Sequence, residues 1–288
     1  MNHVDMLSEN ARIKKVCSWV DGRNGAEDSL GGDISGHGTH IASIVLDITQ
    51  NADLYVGRVT KTRHLNEQQA DQIAQVHPSF NLSFLPLTGV TVQAIKVART
   101  VWCVDIISMS FGFPKGIESI QNEINKALND NIIIFAAASN DGGNSGRAYP
   151  AWQDRIICIH STDGYGNKAS YNPTAENDDN FSIVGQYIKS AWPDQNQPNA
   201  TRRMSGTSFA TPVAAGLAAL ILDWVSQAMP NMKTFIRLKS YDGMRRVLRL
   251  MTQERDPKYS YLSPFGFFGQ KPAKIQEDIL AALNPTKC

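Results

Sequence analysis

Four cysteines in 288 residues, Cys17, Cys103, Cys158 and Cys288, form neither the spacing of a disulfide framework nor that of a zinc site. Buried thiols are expected instead. Long apolar runs are also missing: the longest, Val213 to Leu222, has ten residues, well short of the roughly 18 that a membrane-crossing helix needs. No transmembrane helix and no membrane partner are predicted. Charge of one sign is not in excess either. Lys plus Arg number 28 against 27 for Asp plus Glu, a formal net charge of +1, so no field selects nucleic acid as a partner. The opening residues Met1 to Asn10 lack both the basic head and the apolar stretch of a secretory signal, and a cytoplasmic location is expected. The chain contains no internal repeat and no low-complexity tract.

What is present is enough apolar sequence, 42%, to bury one large core. Short β-branched runs alternate with segments of helical period, the pattern of an α/β fold with a mostly parallel sheet flanked by helices on both faces. Strands are expected over Val16 to Val20, Leu54 to Val59, Asp105 to Phe111, Ile132 to Ala138 and Ile156 to His160. Most are continuous apolar runs, as strands buried on both faces should be. Helices are expected over Thr39 to Ile48, Val92 to Trp102, Glu118 to Asn129 and Phe209 to Gln227.

Beyond residue 228 the pattern changes to a helical extension, 229–288, packed on the same domain as residues 1–228. There Met244, Val247, Leu248 and Met251 line one apolar face at i, i+3, i+4, i+7, with Asp242 as its cap. The Lys and Arg residues between Lys233 and Lys258 read as a solvated face, and the aromatic cluster Tyr259 to Phe268 as packing. Thr174 to Asn180 is polar and acidic enough for a mobile loop.

Chemistry concentrates in three segments. In Met204-Ser205-Gly206-Thr207-Ser208-Phe209-Ala210-Thr211-Pro212, a serine follows a Gly-Thr turn and opens an apolar helix. That position exposes its hydroxyl and aims unpaired backbone N–H groups at an oxyanion formed beside it. Pro212 fits the first turn, and Ala214, Ala215, Gly216, Ala218 and Ala219 keep the helix slim. Alone, Ser208 would read as an N-cap. The second segment, Ser35-Gly36-His37-Gly38-Thr39-His40-Ile41-Ala42, places a histidine between glycines at another helix start, leaving room for a substrate backbone. The third, Ala136-Ala137-Ala138-Ser139-Asn140-Asp141-Gly142, ends a buried strand in a polar turn where Asn140 offers a side-chain amide.

Together these segments resemble the subtilisin-like serine peptidases, over roughly Arg12 to Val225. The resemblance implies that His37 is the general base, with His40 as support, that Ser208 is the nucleophile, and that Asn140 donates to the oxyanion. Ser108-Met109-Ser110-Phe111-Gly112 resembles the strand against which substrate pairs, so Ser110, Phe111 and Gly112 are the implied substrate-binding residues. A nucleophile elbow of the α/β-hydrolase type fails on two counts, since Ala210 stands where its second glycine belongs and His37 precedes the serine.

The resemblance also requires an aspartate after an N-terminal apolar strand, usually in Asp-Ser/Thr-Gly, and no such tripeptide precedes His37. Asp21 comes directly after the first expected strand but lies only 16 residues before His37, closer than the family places it. Asp28 and Asp33 are candidates by proximity, and all three read as loop or turn residues. Asn2-His3-Val4-Asp5-Met6 resembles the stretch that family members carry just after the aspartate turn, which places the aspartate-bearing strand upstream of Met1. An internal start of a longer gene product, or a domain that has lost full activity, fits that pattern. The expected function is therefore serine-type endopeptidase activity on a peptide or protein substrate, without cofactor or metal. A peptide-binding or signalling pseudopeptidase is the other reading.

Overall fold

The computed structural model describes residues 11–20, 23–28, 33, 35–60, 87–194, 196–197 and 199–284. Asp21, Gly22, the Asn2 to Met6 stretch and Cys288 lie outside them. Strands β1 (Ile13–Ser18), β2 (Ala26–Glu27) and β3 (Leu54–Arg58) form a small sheet in the order β2-β1-β3. Strands β4 (Ile106–Met109), β5 (Ile133–Ala137), β6 (Ile157–Thr162) and β7 (Phe181–Val184) are parallel neighbours in a six-stranded sheet. Its far edge carries β10 (Thr252–Asp256) and β11 (Tyr259–Leu262), and a separate ribbon pairs β8 (Ile188–Ala191) with β9 (Thr201–Met204). The helices are α1 (His37–Ile48), α2 (Leu87–Thr100), α3 (Glu118–Asn129), α4 (Thr207–Ala228), α5 (Met232–Leu238), α6 (Tyr241–Arg249), α7 (Pro264–Phe268) and α8 (Pro272–Leu283).

Strand β5 shows why its sequence is continuously apolar. Successive side chains point to opposite faces, and both faces are covered. Ile133 and Phe135 pack with Ala214, Leu217, Ala218 and Ile221 of α4. Ile134 and Ala136 pack with Ile120, Ile124 and Leu128 of α3. Those α3 residues recur at the i, i+4, i+8 spacing of one helical face.

Helix α4 has 22 residues and is long and apolar enough to cross a bilayer, yet 67% of its most apolar stretch is buried within the protein. The small residues expected to keep it slim do so against α1: a Cβ on Gly216 would sit 3.1 Å from Ile48 Cβ. This close approach fixes the two helices that carry the histidine and serine segments.

Four sequence expectations need correction. Helix α6 is capped by Ser240, whose hydroxyl oxygen accepts from Gly243 N at 3.1 Å, and Asp242 lies inside its first turn. Thr174 to Asn180 is tied down, because the buried Arg147 guanidinium binds Asp178, Glu176 and the Asn180 side-chain oxygen. Part of the basic face between Lys233 and Lys258 is likewise engaged: Arg245 and Arg249 both bind Asp179, and Lys239 reaches Asp105. Each charge finds its partner across tertiary contacts between distant segments. Finally, Cys103 is exposed, in a turn at φ 50°, whereas Cys17 and Cys158 are buried as expected.

The extension beyond residue 228 also contributes more than helices. Strand β11 joins β7 in parallel and β10 closes the edge. Tyr259 is buried, with its hydroxyl donating to the Pro173 carbonyl at 3.0 Å and its ring set edge-on to His160. Met244, Val247 and Leu248 share one core cluster with α4.

Candidate active site

Helix α1 begins at His37 after Gly36, which turns the chain at φ 73°. A side chain there would meet the Trp192 ring at 2.6 Å, so both conformation and space require glycine. Asp33 caps this helix. Its carboxylate accepts from Gly36 N at 3.0 Å, Thr39 N at 2.7 Å, Thr39 Oγ1 at 2.8 Å and Ser35 Oγ at 3.0 Å. It is thus a turn and cap residue satisfying donors that a helix start leaves unpaired. Asp28 is paired with Arg23 at 2.7 Å and Arg58 at 3.4 Å.

The two histidines of α1 have different surroundings. His40 is fully buried, and its Nε2 lies 2.9 Å from the Arg202 carbonyl and 3.1 Å from the Ile188 carbonyl. Both neighbours are acceptors, so Nε2 carries the proton and ties α1 to the β8–β9 ribbon. His37 stands one turn earlier, at the helix mouth. Its ring meets the Phe209 ring edge-on at 5.4 Å, and the same phenyl ring lies 4.9 Å from His40. Phe209, the residue just after Ser208, therefore packs against both imidazoles.

Ser208 is the second residue of α4, and its hydroxyl donates to the Ser110 carbonyl at 3.0 Å. Ser110 comes immediately after β4, so the nucleophile segment meets the implied substrate strand at that strand's C-terminal end. Phe111 lines the cavity beside His37, while a Cβ on Gly112 would sit 2.6 Å from Ala148 Cβ. Packing against Ala148 thus gives Gly112 a reason of its own.

Asn140 reaches the same place from the end of β5. Its Oδ1 accepts from Thr207 N at 2.8 Å and Thr207 Oγ1 at 3.2 Å. Because the oxygen is held by the helix start, the amide nitrogen faces away from those donors, and a Cβ on Gly206 would approach it at 3.4 Å. The preceding residue, Ser139, adopts φ 136°, a costly value for a residue with a side chain. It is held there by Thr207 Oγ1 on its carbonyl and by its own hydroxyl bond to Asp141 at 2.7 Å. Strained backbone next to a candidate donor is a common companion of function.

The structure thus brings His37, Ser208, Asn140 and Ser110 to one end of the main sheet. Asp21 is outside the described residues. Sequence reading assigned no role to Thr207, which orients Asn140, to Phe209, or to Asp33 as the cap of α1. Thr207 and Phe209 stand inside the serine segment, but their partners lie 67 and about 170 residues away in the chain, where no local pattern points. A Ser/Thr/Asp cap signal before a helix could have found Asp33.

A family model described as the subtilase family, peptidase S8, matches residues 2–252. Thermitase from Thermoactinomyces vulgaris is 31% identical over 223 residues, covering 76% of this chain and 70% of thermitase. The subtilisin-like protease het-Q2 of Podospora anserina is 32% identical over 202 residues, covering 68% of this chain and 50% of that protein. Among solved structures, the prenylagaramide maturation protease PagA superposes with a TM-score of 0.63 at 20% identity, over 98% of this chain and 90% of its own. A cold-adapted subtilisin-like serine proteinase gives 0.62 at 21% identity, over 91% and 84%. These likenesses, together with the sheet order, establish the α/β architecture expected from the sequence.

Proposed function

The chain belongs to the subtilase family of serine-type peptidases, and from that premise we propose that it is an endopeptidase working through an acyl-enzyme, with Ser208 as nucleophile, His37 as general base and Asn140 as oxyanion donor. The observation that carries this reading is the convergence at the mouth of α4. Ser208 sits on the first turn, Asn140 is bonded to the amide just before it, and the His37 ring packs on Phe209 just after it.

In this reaction the Ser208 hydroxyl leaves the Ser110 carbonyl by rotating about its Cα–Cβ bond and gives its proton to His37. Its oxygen then bonds to the substrate carbonyl carbon. The carbonyl oxygen becomes an oxyanion, met by the Asn140 amide and by the Ser208 backbone N–H at the positive end of α4. Collapse breaks the C–N bond, and His37 passes its proton to the departing amine. Water repeats the sequence on the ester and frees Ser208. Ser110, Phe111 and Gly112 continue the chain past the end of β4, and a peptide can lie against them there. The chemistry requires no cofactor.

A fluorophosphonate probe tests this directly. It should label Ser208, and Ser208→Ala should abolish labelling while leaving the fold intact by circular dichroism. Labelling of the alanine variant at the wild-type level would refute the assignment of the nucleophile. A wild-type protein that binds peptides yet never labels would be the pseudopeptidase.

A further inference from the structure

The ribbon of β8 and β9 leads into the serine turn and carries unbalanced charge. Between Gly185 and Ser208 stand three cations, Lys189, Arg202 and Arg203, and one carboxylate, Asp194, in a chain whose formal net charge is only +1. All three cations are exposed, and among the described residues none of them pairs with a carboxylate. The Oδ1 of Asp194 serves its own turn, accepting from Asn196 N at 2.8 Å and Gln197 N at 3.2 Å. Arg202 lays its guanidinium over the Trp192 ring at 4.5 Å. Lys189 and Arg203 are direct cross-strand neighbours, a placement in which like charges repel and weaken the ribbon. An anion from outside the fold would relieve that repulsion.

The same two strands hold an aromatic side chain next to the serine turn. Tyr187, just before β8, has φ 57°, a costly conformation for a residue with a side chain. Two bonds keep it there: its N–H donates to Ser205 Oγ at 2.9 Å, and its carbonyl accepts from Arg203 Nη1 at 3.1 Å. The ring is left 71% exposed, beside a serine that stands three residues before Ser208. Arg203 uses one of its five N–H donors in this bond and keeps the others. The ribbon is also tied to α1, since His40 Nε2 meets the Ile188 and Arg202 carbonyls one turn after His37. Ser208 meets the end of β4 through the Ser110 carbonyl and meets the ribbon through Ser205, so two separate elements border the serine turn. A peptide whose acyl half lies against Ser110 to Gly112 carries its other half past His37, which protonates the departing amine, and so toward the ribbon.

We propose that Lys189 and Arg203 form a carboxylate-binding subsite for the leaving half of the substrate, selecting peptides with Asp or Glu a few residues after the scissile bond. The planar guanidinium takes a carboxylate through two parallel N–H donors, and the Lys189 ammonium adds a point charge beside it. The exposed Tyr187 ring offers the same segment an apolar face. A basic residue in that position would meet two uncompensated cations, so the ribbon rejects one class of substrate as it attracts the other. The effect on cleavage rests on the peptidase reading above, whereas the binding of the acidic segment does not.

The test uses the whole chain and three internally quenched decapeptides of Leu and Ala. The first carries Glu-Glu in its C-terminal half, the second Lys-Lys there, and the third Glu-Glu in its N-terminal half, with the cut in each located by mass spectrometry. The first peptide should be cleaved with kcat/KM about 5-fold above the third and further above the second, the scale of one or two exposed charge pairs. That advantage should shrink in 1 M salt, where the Debye length is about 3 Å. Lys189→Glu should reverse the order of the first two peptides, and Arg203→Gln, which keeps a donor for the Tyr187 carbonyl, should reduce the advantage of the first. Equal rates for the Glu-Glu and Lys-Lys peptides, or an order that Lys189→Glu leaves unchanged, overturn the subsite while the peptidase reading stands. An equal advantage for the third peptide overturns it too, because the attraction then does not belong to the leaving half. If none of the peptides is cut, fluorescence anisotropy of their rhodamine-labelled forms decides the subsite: tighter binding of the first peptide than of the other two supports it, and equal binding overturns it. Fluorophosphonate labelling of Ser208 then decides the peptidase reading separately.

Discussion

Replacing Asn140 by alanine removes two interactions at once, and a second substitution separates them. The Oδ1 of Asn140 accepts from Thr207 N and Oγ1, so it serves the start of α4 as a cap supplied from another strand. Losing a cap of this kind costs about 0.5–2 kcal/mol, and for a chain of this size about 1 kcal/mol lowers Tm by roughly 2 °C. The amide nitrogen on the other side is free to meet the oxyanion. Removing such a donor lowers kcat by about 10²–10³, or roughly 2.7–4 kcal/mol of transition-state stabilisation. KM should hardly move, because that charge exists only in the transition state. Asn140→Asp keeps an oxygen for Thr207 and adds a negative charge at a helix N-terminus, which is favourable by about 0.3–1 kcal/mol. It presents no donor. The alanine variant should therefore lose both stability and kcat, and the aspartate variant kcat alone. Urea midpoints and initial rates on a peptide substrate measure the two effects. If Asn140→Asp keeps wild-type kcat while Asn140→Ala loses it, Asn140 is a cap and not an oxyanion donor.

His37→Ala should reduce fluorophosphonate labelling as severely as Ser208→Ala, whereas His40→Ala should act mainly on stability, because His40 Nε2 bonds the Ile188 and Arg202 carbonyls. A folded His40→Ala protein that labels more slowly than folded His37→Ala would reverse the two roles. Acid should destabilise the protein through His160, whose pKa is pushed down to about 3 by burial and by the nearby Arg147. The unfolded chain takes up that proton below its ordinary value of 6.5 while the folded chain does not, so this stability is complete above pH 6.5 and is lost as pH falls toward 3. Between pH 7.5 and 5.5 the loss is on the order of 1 kcal/mol, and His160→Gln should abolish that part. An unchanged pH dependence of the urea midpoint in His160→Gln would show that another group is responsible. Burial opposes ionisation of Asp178, but its bond to Arg147 prevails and holds the carboxyl below its usual range. Its contribution is lost only at lower pH still, which separates the two groups.

The sequence alone was enough to place the buried strands of the main sheet. Ile132 to Ala138 is apolar at every position because both faces of β5 are covered, and its expected limits differ from β5 by one residue at each end. Helix α3 was readable to the residue, since Ile120, Ile124 and Leu128 mark one face between polar flanks. The glycines around His37 and the Gly-Thr turn before Ser208 were legible for a related reason: helix starts carry local chemical signatures. Strands β7 to β11 were not anticipated. They are four or five residues long, and several carry exposed polar groups such as Arg202 and Arg203, so their pairing depends on neighbours distant in the chain. The acidic loop at Thr174 to Asn180 was read as mobile because its charges have no local partner. Only the fold brings Arg147 to Asp178, and Arg245 and Arg249 to Asp179. The same division holds at the site. Three ordered segments that resemble one family marked His37, Ser208 and Asn140 together, but the Oδ1 bond that aims Asn140 and the ring contact between His37 and Phe209 join segments 67 and about 170 residues apart. Local sequence encodes helix starts and strand faces through short-range sterics and periodicity. Which of them meet is decided by packing over the whole chain.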